Sequence, residues 1–381
     1  MTADVALLID PVTHHFERDA MFDMRSVQPE GAALLERWIY LRSWFQERGV
    51  EVHTADCYFR GEVHARRYVF VSFGQAHRCL QVAHRSDFVL SAFFAMESPI
   101  VEPRQYYTRL HSLQTYFKRI FTFADIAAFA PFLRNPVRSH VFHLPYMYES
   151  VNANLWTQRE RKFLVMINHN KVSAIRWNEL FTQRMQALAF FAAYKEIDLY
   201  GLGWDGPSFQ LGGSWLPGSF QKMTRAWKRQ WQRIRPVPAL EAARQVYRGS
   251  VPSKLDTLAQ YQFALCFENV AMNGWITEKL FDCFVAGTVP IYSGAPDVTQ
   301  YVPESCFIDM RRFKGYEELR TYLKSLNEDE IQQYRENSRD YLLSEQFRPF
   351  TKQYFTELLA RIVEEDTSFR LLQSDLHQSV V

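Results

Sequence analysis

Between Tyr261 and Asp309 the hydrophobic period of the chain changes twice, and that change restricts the fold more than any other feature of the sequence. YQFALCF, residues 261–267, is an apolar, aromatic run of strand length, and Asn273-Gly274 marks a turn. From Ile276 the spacing becomes helical, with Ile276, Leu280, Phe281, Phe284 and Val285 on one face. Gly287 ends that helix as a C′ residue, and TVPIYSG follows as a second buried strand. Strand, helix and strand in this order predict a right-handed crossover in a parallel sheet. Ligands of such sheets bind at the carboxyl edge, where this sequence gathers Glu268, Asn269, Asn273, Trp275, Thr277, Glu278 and Lys279. A helix N-terminus with Lys279 beside it suits a phosphate or diphosphate. The plainer alternative is a Thr277-capped helix whose Glu278 and Lys279 face solvent.

The alternation continues on both sides of this stretch. With 381 residues, 47% hydrophobic and 15% aromatic, the chain has material for two cores. Residues 1–155 read as one α/β domain. VALLI, VEVHT and RYVFVSF are its strands, GAALLERWIYLRSWFQERG is an amphipathic helix closed by Gly49, and Asp87 to Leu90 is a further short strand. An apolar approach then breaks at Glu97-Ser98-Pro99, which leaves Glu97 near an edge loop. Residues 156–345 read as a second domain opening with the strand RKFLVMIN. A helix is expected over Trp177 to Tyr194, with Arg184 on the side away from the Leu180, Leu188 and Phe191 stripe. Residues 346–381 are expected to hold a last helix crossing back to the first domain, then a frayed tail.

Within the second domain, about 207–246, the pattern reads as an insertion. Its centre, Gln221 to Arg235, carries six Lys or Arg residues and no acid, with Met223, Trp227 and Trp231 on one helical face. Such a segment suits either peripheral contact with an anionic membrane or a helix packing its Trp face on the domain.

Several classes are disfavoured. A net charge of +2 gives no global sign of a nucleic-acid partner. Five cysteines without CxxC spacing, and histidines without ligand spacing, point to no metal site. No G-x-G-x-x-G follows any strand, which argues against a nicotinamide dehydrogenase. The N-terminus has no basic n-region, and no run reaches membrane-spanning length, so a cytoplasmic location is expected.

The arrangement FEN, a short stretch, an aromatic, ITEKL and a Gly-Thr-Val-Pro strand resembles the donor-nucleotide motif of the α-1,3/4-fucosyltransferases, an inverting glycosyltransferase family. Gly-Ala-Pro, Tyr-x-Pro and FID downstream, and Ser253-Lys254-Leu255 upstream, extend the likeness. It covers about residues 160–345, and the first domain only around Glu97 to Tyr107. The resemblance implies GT-B architecture, two Rossmann-like α/β domains facing across a cleft, with the donor site in the second. It implies a GDP-fucose site of Lys254, Glu268, Asn269, Trp275, Thr277, Glu278 and Lys279. An Arg on the helix after the first strand of that domain would reach the diphosphate, with Arg184 the best match and Arg176 its rival. Trp275 departs from the more usual Tyr, keeping a stacking face and losing a hydroxyl. Glu97 corresponds to the catalytic base, with Glu102 the next candidate.

The reaction implied moves L-fucose to a hydroxyl of N-acetylglucosamine or glucose in an oligosaccharide or glycolipid, as in surface lipopolysaccharide of a bacterium. No cofactor is implied, and a divalent metal would be at most stimulatory. Two other readings compete: transfer from another GDP-sugar, and a non-catalytic carbohydrate-binding protein.

Overall fold

The computed structural model describes residues 3–26, 32–74, 78–124, 139–146, 153–157, 160–211, 238–251 and 253–372. The basic segment 221–235, with Trp227 and Trp231, lies outside the described residues, as does the end of the expected tail. The chain divides into two compact units: Met1–Pro99, Arg104–Met147 and Arg348–Val381 form the first, and Ile100–Pro103 with Tyr148–Phe347 the second.

The first unit holds a six-stranded sheet made of β1 (Ala3–Asp10), β2 (Glu51–Thr54), β3 (Ala65–Phe73), β4 (Phe88–Phe94), β5 (Arg119–Thr122) and β6 (Ser139–Val141). Its order is β2-β1-β3-β4-β5-β6 and every pairing is parallel. Strands covered on both faces read as continuous apolar runs, and β4 is buried at all seven positions. That is why it runs on past Leu90, where a short strand was expected to end: FVLSAFF has no alternation to mark a stop. Phe73, Phe94 and Phe121 stack across three neighbouring strands, with ring centroids 4.6 Å apart at each step.

The helix Ala32–Gln46 leads to Gly49, whose φ of 80° only glycine adopts easily. Tyr146 N–H donates to the Phe350 carbonyl (2.6 Å), tying the returning chain to this unit. The helix Lys352–Thr367 is capped by Thr351 and buries Phe355, Leu359, Ile362 and Val363. At its end Asp366 is clasped by Lys118 (2.8 Å) and Arg119 (2.9 Å).

The second unit is built on β7 (Lys162–Ile167), β9 (Ile197–Tyr200), β11 (Tyr261–Phe267), β12 (Val289–Ser293) and β13 (Ile308–Asp309), in the order β13-β12-β11-β7-β9 and parallel throughout. A separate parallel pair joins β8 (Lys171–Ser173) to β10 (Phe209–Leu211). The helix expected from Trp177 begins at Phe181 and ends at Ala193, because a turn with Asn178 at φ 46° and a bridge from Glu179 to Val270 occupy the lead.

Counted along each unit, both sheets share the order 2-1-3-4-5, and the first unit adds a sixth strand. In such sheets the strand order reverses beside the first strand, and ligands bind outside the carboxyl ends at that switch point. The switch points here fall between β1 and β3, and between β7 and β11. No helix among the described residues is long and apolar enough to cross a membrane.

Candidate functional site

At the second unit's switch point, β11 delivers Glu268 into a fully buried position, where its own N–H donates to the Ser293 carbonyl (2.8 Å). A buried carboxylate needs several donors, and the helix Glu278–Ala286 supplies them from its first turn. Thr277 donates to Glu268 from its N–H and its hydroxyl, each at 2.8 Å, and Lys279 Nζ donates at 3.1 Å. The Thr277 hydroxyl also accepts from Lys279 (2.9 Å). Thr277 is therefore at the N-cap position, as the plain reading has it, but its hydroxyl turns to Glu268 and makes no cap bond.

Space for Glu268 depends on Gly294: a Cβ there would stand 2.3 Å from the Tyr292 hydroxyl and 2.6 Å from Glu268 Cγ. The far end of the helix is fixed as firmly. Gly287 takes the left-handed conformation, φ 63°, and the Arg161 guanidinium donates to its carbonyl at 2.7 Å. A cation at a helix C-terminus complements the dipole.

Beside Lys279 lies Lys254, first residue of the helix Lys254–Leu258, which Ser253 caps through Asp256 N–H (3.3 Å). Lys254 is ion-paired with Asp282. Desolvation would lower both ammonium groups, but Asp282 and Glu278 outweigh it at Lys254, and Glu268 and Glu278 do so at Lys279, so both are raised. Glu278 keeps 48% of its side chain exposed. Its crowded surroundings raise the carboxyl by desolvation, yet Lys279 and Lys254 prevail and hold it at about 2. A small cavity of about 20 Å³ opens among Asn168, Lys254, Cys266, Lys279 and Cys283, at the carboxyl ends of β7 and β11.

The expected site residues do not all sit as read. Arg184 is buried, not on the outer side of its helix: Leu180, Arg184 and Leu188 recur every four residues and share one face. Its guanidinium donates to the Phe267 carbonyl at 3.0 and 2.7 Å and to Asn269 Oδ1 at 2.9 Å. Burial lowers it to about 10, with Glu268 opposing, so it remains charged at neutral pH. In this structure it is the brace behind the Glu268–Asn269 loop. Arg176 is exposed and pairs with Glu179 (3.1 Å).

Trp275, expected to offer a stacking face, is 2% exposed in this structure. Its carbonyl accepts from the Tyr292 hydroxyl (3.4 Å). Glu97 is exposed, while the preceding Phe93 and Phe94 are buried in the core. Its carbonyl accepts from the Tyr106 hydroxyl (2.5 Å).

Asp282 escaped the sequence reading, and Gly294 entered it only within the Gly-Ala-Pro motif, not as the space for Glu268. An acid inside the apolar run Phe281 to Val285 was the available signal for Asp282. A trio suited to a metal was also missed: Asp19, His53 and Cys57 bring one ligand atom each within 4.8 Å of one another. They come from separate elements, so no spacing reveals them. Arg42, 3.3 Å from Asp19, and Arg60, 3.4 Å from Cys57, set positive charge against a cation there.

Comparison with known proteins falls on the same stretch as the motif. Residues 223–372 match the family described as "Glycosyltransferase family 10 (fucosyltransferase) C-term". The match starts inside the segment 207–246 read as an insertion, and leaves 160–222, where the resemblance was expected to begin, outside it. The Alpha-(1,3)-fucosyltransferase of Helicobacter pylori is 36% identical over 94 residues, which are 25% of this chain and 20% of that protein. A "GDP-fucose protein O-fucosyltransferase 3" of Xenopus tropicalis is 41% identical over 86 residues, 21% of this chain and 18% of that protein. The chain thus spans about a fifth of the length of the curated relatives it matches. Anabaena Alr3699/HepE in complex with UDP shares the fold at a TM-score of 0.51 and 9% identity, over 95% of this chain and 100% of that one. The two parallel-sheet α/β units are those of the GT-B class expected from the sequence.

Proposed function

We propose that this chain, whose residues 223–372 carry the C-terminal part of family 10, moves L-fucose from GDP-fucose to a hydroxyl of N-acetylglucosamine or glucose in a glycan. The linkage would be α-1,3 or α-1,4, formed with inversion, and a surface lipopolysaccharide is the acceptor in view. One observation carries the reading: at the switch point of the second unit, inside the family match, two lysines are held charged by buried or half-buried carboxylates. One relative is named for an α-1,3 linkage and another for GDP-fucose and a protein O-linkage, and they match stretches of similar length, which supports a shared donor.

In the proposed step the acceptor hydroxyl attacks the anomeric carbon opposite the diphosphate, and the bond from that carbon to the diphosphate oxygen breaks. Negative charge gathers on GDP as it leaves. Cations already fixed in place stabilise that charge without reorganising, a role for Lys279 and Lys254 that asks for no metal. Arg184 positions Asn269 and the Phe267 carbonyl at the mouth of the site. Glu97, as general base, takes the proton of the acceptor hydroxyl. A cytoplasmic enzyme touching an anionic membrane through residues 221–235 is the accompanying reading, supported by charge pattern alone. Salt-sensitive co-sedimentation with anionic vesicles tests it.

The deciding experiment measures GDP release over a panel of glycan acceptors with GDP-fucose and with GDP-mannose. Acceptor-dependent release from GDP-fucose alone is expected. Release from GDP-mannose alone would move the reading to another GDP-sugar, and binding of glycans without any release would make the protein a carbohydrate-binding one.

A further inference from the structure

After β4 the chain breaks at Pro99 and re-enters the first unit at Arg104 as a helix whose opening turn is wider than an α turn. Gln105–Arg109 is π-helical: the Leu110 N–H donates to the Gln105 carbonyl, five residues back, before the regular turn Leu110–Leu113. The Thr108 hydroxyl donates to the Arg104 carbonyl in the same turn (2.7 Å). Such π turns are rare, and they occur often at functional sites. On an α-helix Gln105 and Leu110 would point about 140° apart, whereas here Gln105, Tyr106 and Leu110 are all buried.

That arrangement leaves polar atoms stranded. Gln105 is 6% exposed, and its Nε2 has no hydrogen-bond partner among the described residues. Ser98, fully buried on the other side of the break, leaves its hydroxyl without one as well. A buried polar group without a partner forfeits its hydration for nothing in return. Three unfavourable features therefore gather in one short segment, and strain of this kind persists where it serves a site.

The segment fixes Tyr106 against Glu97. The Tyr106 ring is buried, and its hydroxyl donates to the Glu97 carbonyl (2.5 Å). Glu97 lies beyond the end of β4, in irregular backbone, with its side chain exposed. A group carried on a loop is placed less exactly than one on a strand or helix, and this bond ties the loop to the helix. We propose that Tyr106 is a positioning residue for Glu97: its phenol holds the Glu97 backbone so that the carboxylate meets the acceptor hydroxyl. The π turn and its stranded polar atoms are the cost of that placement. The role rests on Glu97 being the base, as read above, and Tyr106 acts through Glu97 and not on the substrate.

A double-mutant cycle in the full chain tests it: wild type, Tyr106→Phe, Glu97→Gln and the double variant, with GDP-fucose as donor and N-acetyllactosamine as acceptor. Tyr106→Phe keeps the buried ring and removes only the hydroxyl. A misplacement of about 1 Å at a reacting group can cost about 100-fold. Its kcat should accordingly fall about 10- to 100-fold, with acceptor KM and GDP affinity changed less than about three-fold. In the Glu97→Gln background, followed at high enzyme concentration, the same change should lower transfer no further, since no carboxylate remains to be placed. A Tyr106→Phe kcat within about two-fold of wild type would overturn the proposal. An equal loss in both backgrounds would overturn it too, because that is the pattern of a hydroxyl that only supports the fold. Wild-type transfer in Glu97→Gln is a different failure: it removes the base reading, and the positioning role falls with it.

Discussion

The two switch points share a strand order and are furnished in opposite ways. Between β7 and β11, Lys254 and Lys279 line a cavity of about 20 Å³ and are ion-paired with Asp282, Glu268 and Glu278, with Arg184 buried behind the loop. Between β1 and β3, one arginine serves two carboxylates beside a pocket of about 440 Å³, and the nearby Glu97 is exposed. Fixed, desolvated charge is useful where charge develops during a reaction, and costly to disturb. Substitutions on the first side should therefore change stability and turnover together, and on the second side turnover alone.

The sharpest test of that division is Glu97→Gln. Loss of a general base lowers rate by about 100- to 10,000-fold, yet an exposed carboxylate contributes little to folding, so GDP affinity and melting temperature should not move. Transfer within a few-fold of wild type would remove Glu97 as base and turn attention to Glu102. Next comes Lys279→Ala, expected to cost about 100- to 1,000-fold in turnover. It should also destabilise the fold by about 3–5 kcal/mol, because Glu268 stays buried with its ionic partner gone. Pairing Lys279→Met with Glu268→Gln should recover melting temperature but not turnover. Full activity in Lys279→Ala would end the donor-site reading.

Arg184→Ala should follow at about 2–4 kcal/mol of stability, with weakened GDP binding as the Asn269 loop loses its brace. Arg176→Ala, on an exposed side chain, should stay within about 0.5 kcal/mol. Wild-type turnover in Arg184→Ala with a loss in Arg176→Ala would transfer the diphosphate contact to Arg176.

The smallest effect separates the units by acid. Burial holds His143, in the first unit, at about 4 against an ordinary 6.5. Between those values the unfolded chain binds the proton and the folded one does not, so stability is complete above 6.5 and lost as pH falls toward 4. A fully buried ring would lose about 3 kcal/mol; this one is half-buried, so about 1–2 kcal/mol is expected. Glu278 in the second unit is held at about 2, and its contribution fades only below its ordinary 4.5. Melting curves from pH 7 to 4.5 should slope in wild type and flatten in His143→Phe; parallel slopes would refute the assignment.

What was legible in the sequence was whatever depends on neighbours. The change of period between Phe267 and Ile276 and the glycine at 287 gave strand, helix and strand close to where they lie. The long-range pairings were not legible. Arg184 looked like a surface arginine because its acceptor, the Phe267 carbonyl, is 83 residues away. Asp282 gained meaning only with Lys254 folded against it, and the Asp10–Arg78 pair spans 68 residues. Trp275 shows the converse: its motif assigns it to a ligand, while its burial at 2% exposure could not be read from the motif.

The return of the chain from Arg348 has a bearing on biosynthesis. Domains ordinarily mature in the order in which they leave the ribosome, but here the unit that starts first must wait. Trp38, Phe73 and Phe94 all make ring contacts with Phe355, on the helix Lys352–Thr367, which emerges only after the whole of Tyr148–Phe347. During that interval the second unit can reach its final form, while the nascent first unit displays a sticky aromatic face, the kind of surface that chaperones shield. The last helix thus completes the aromatic core of the first unit only once the second unit has been synthesised.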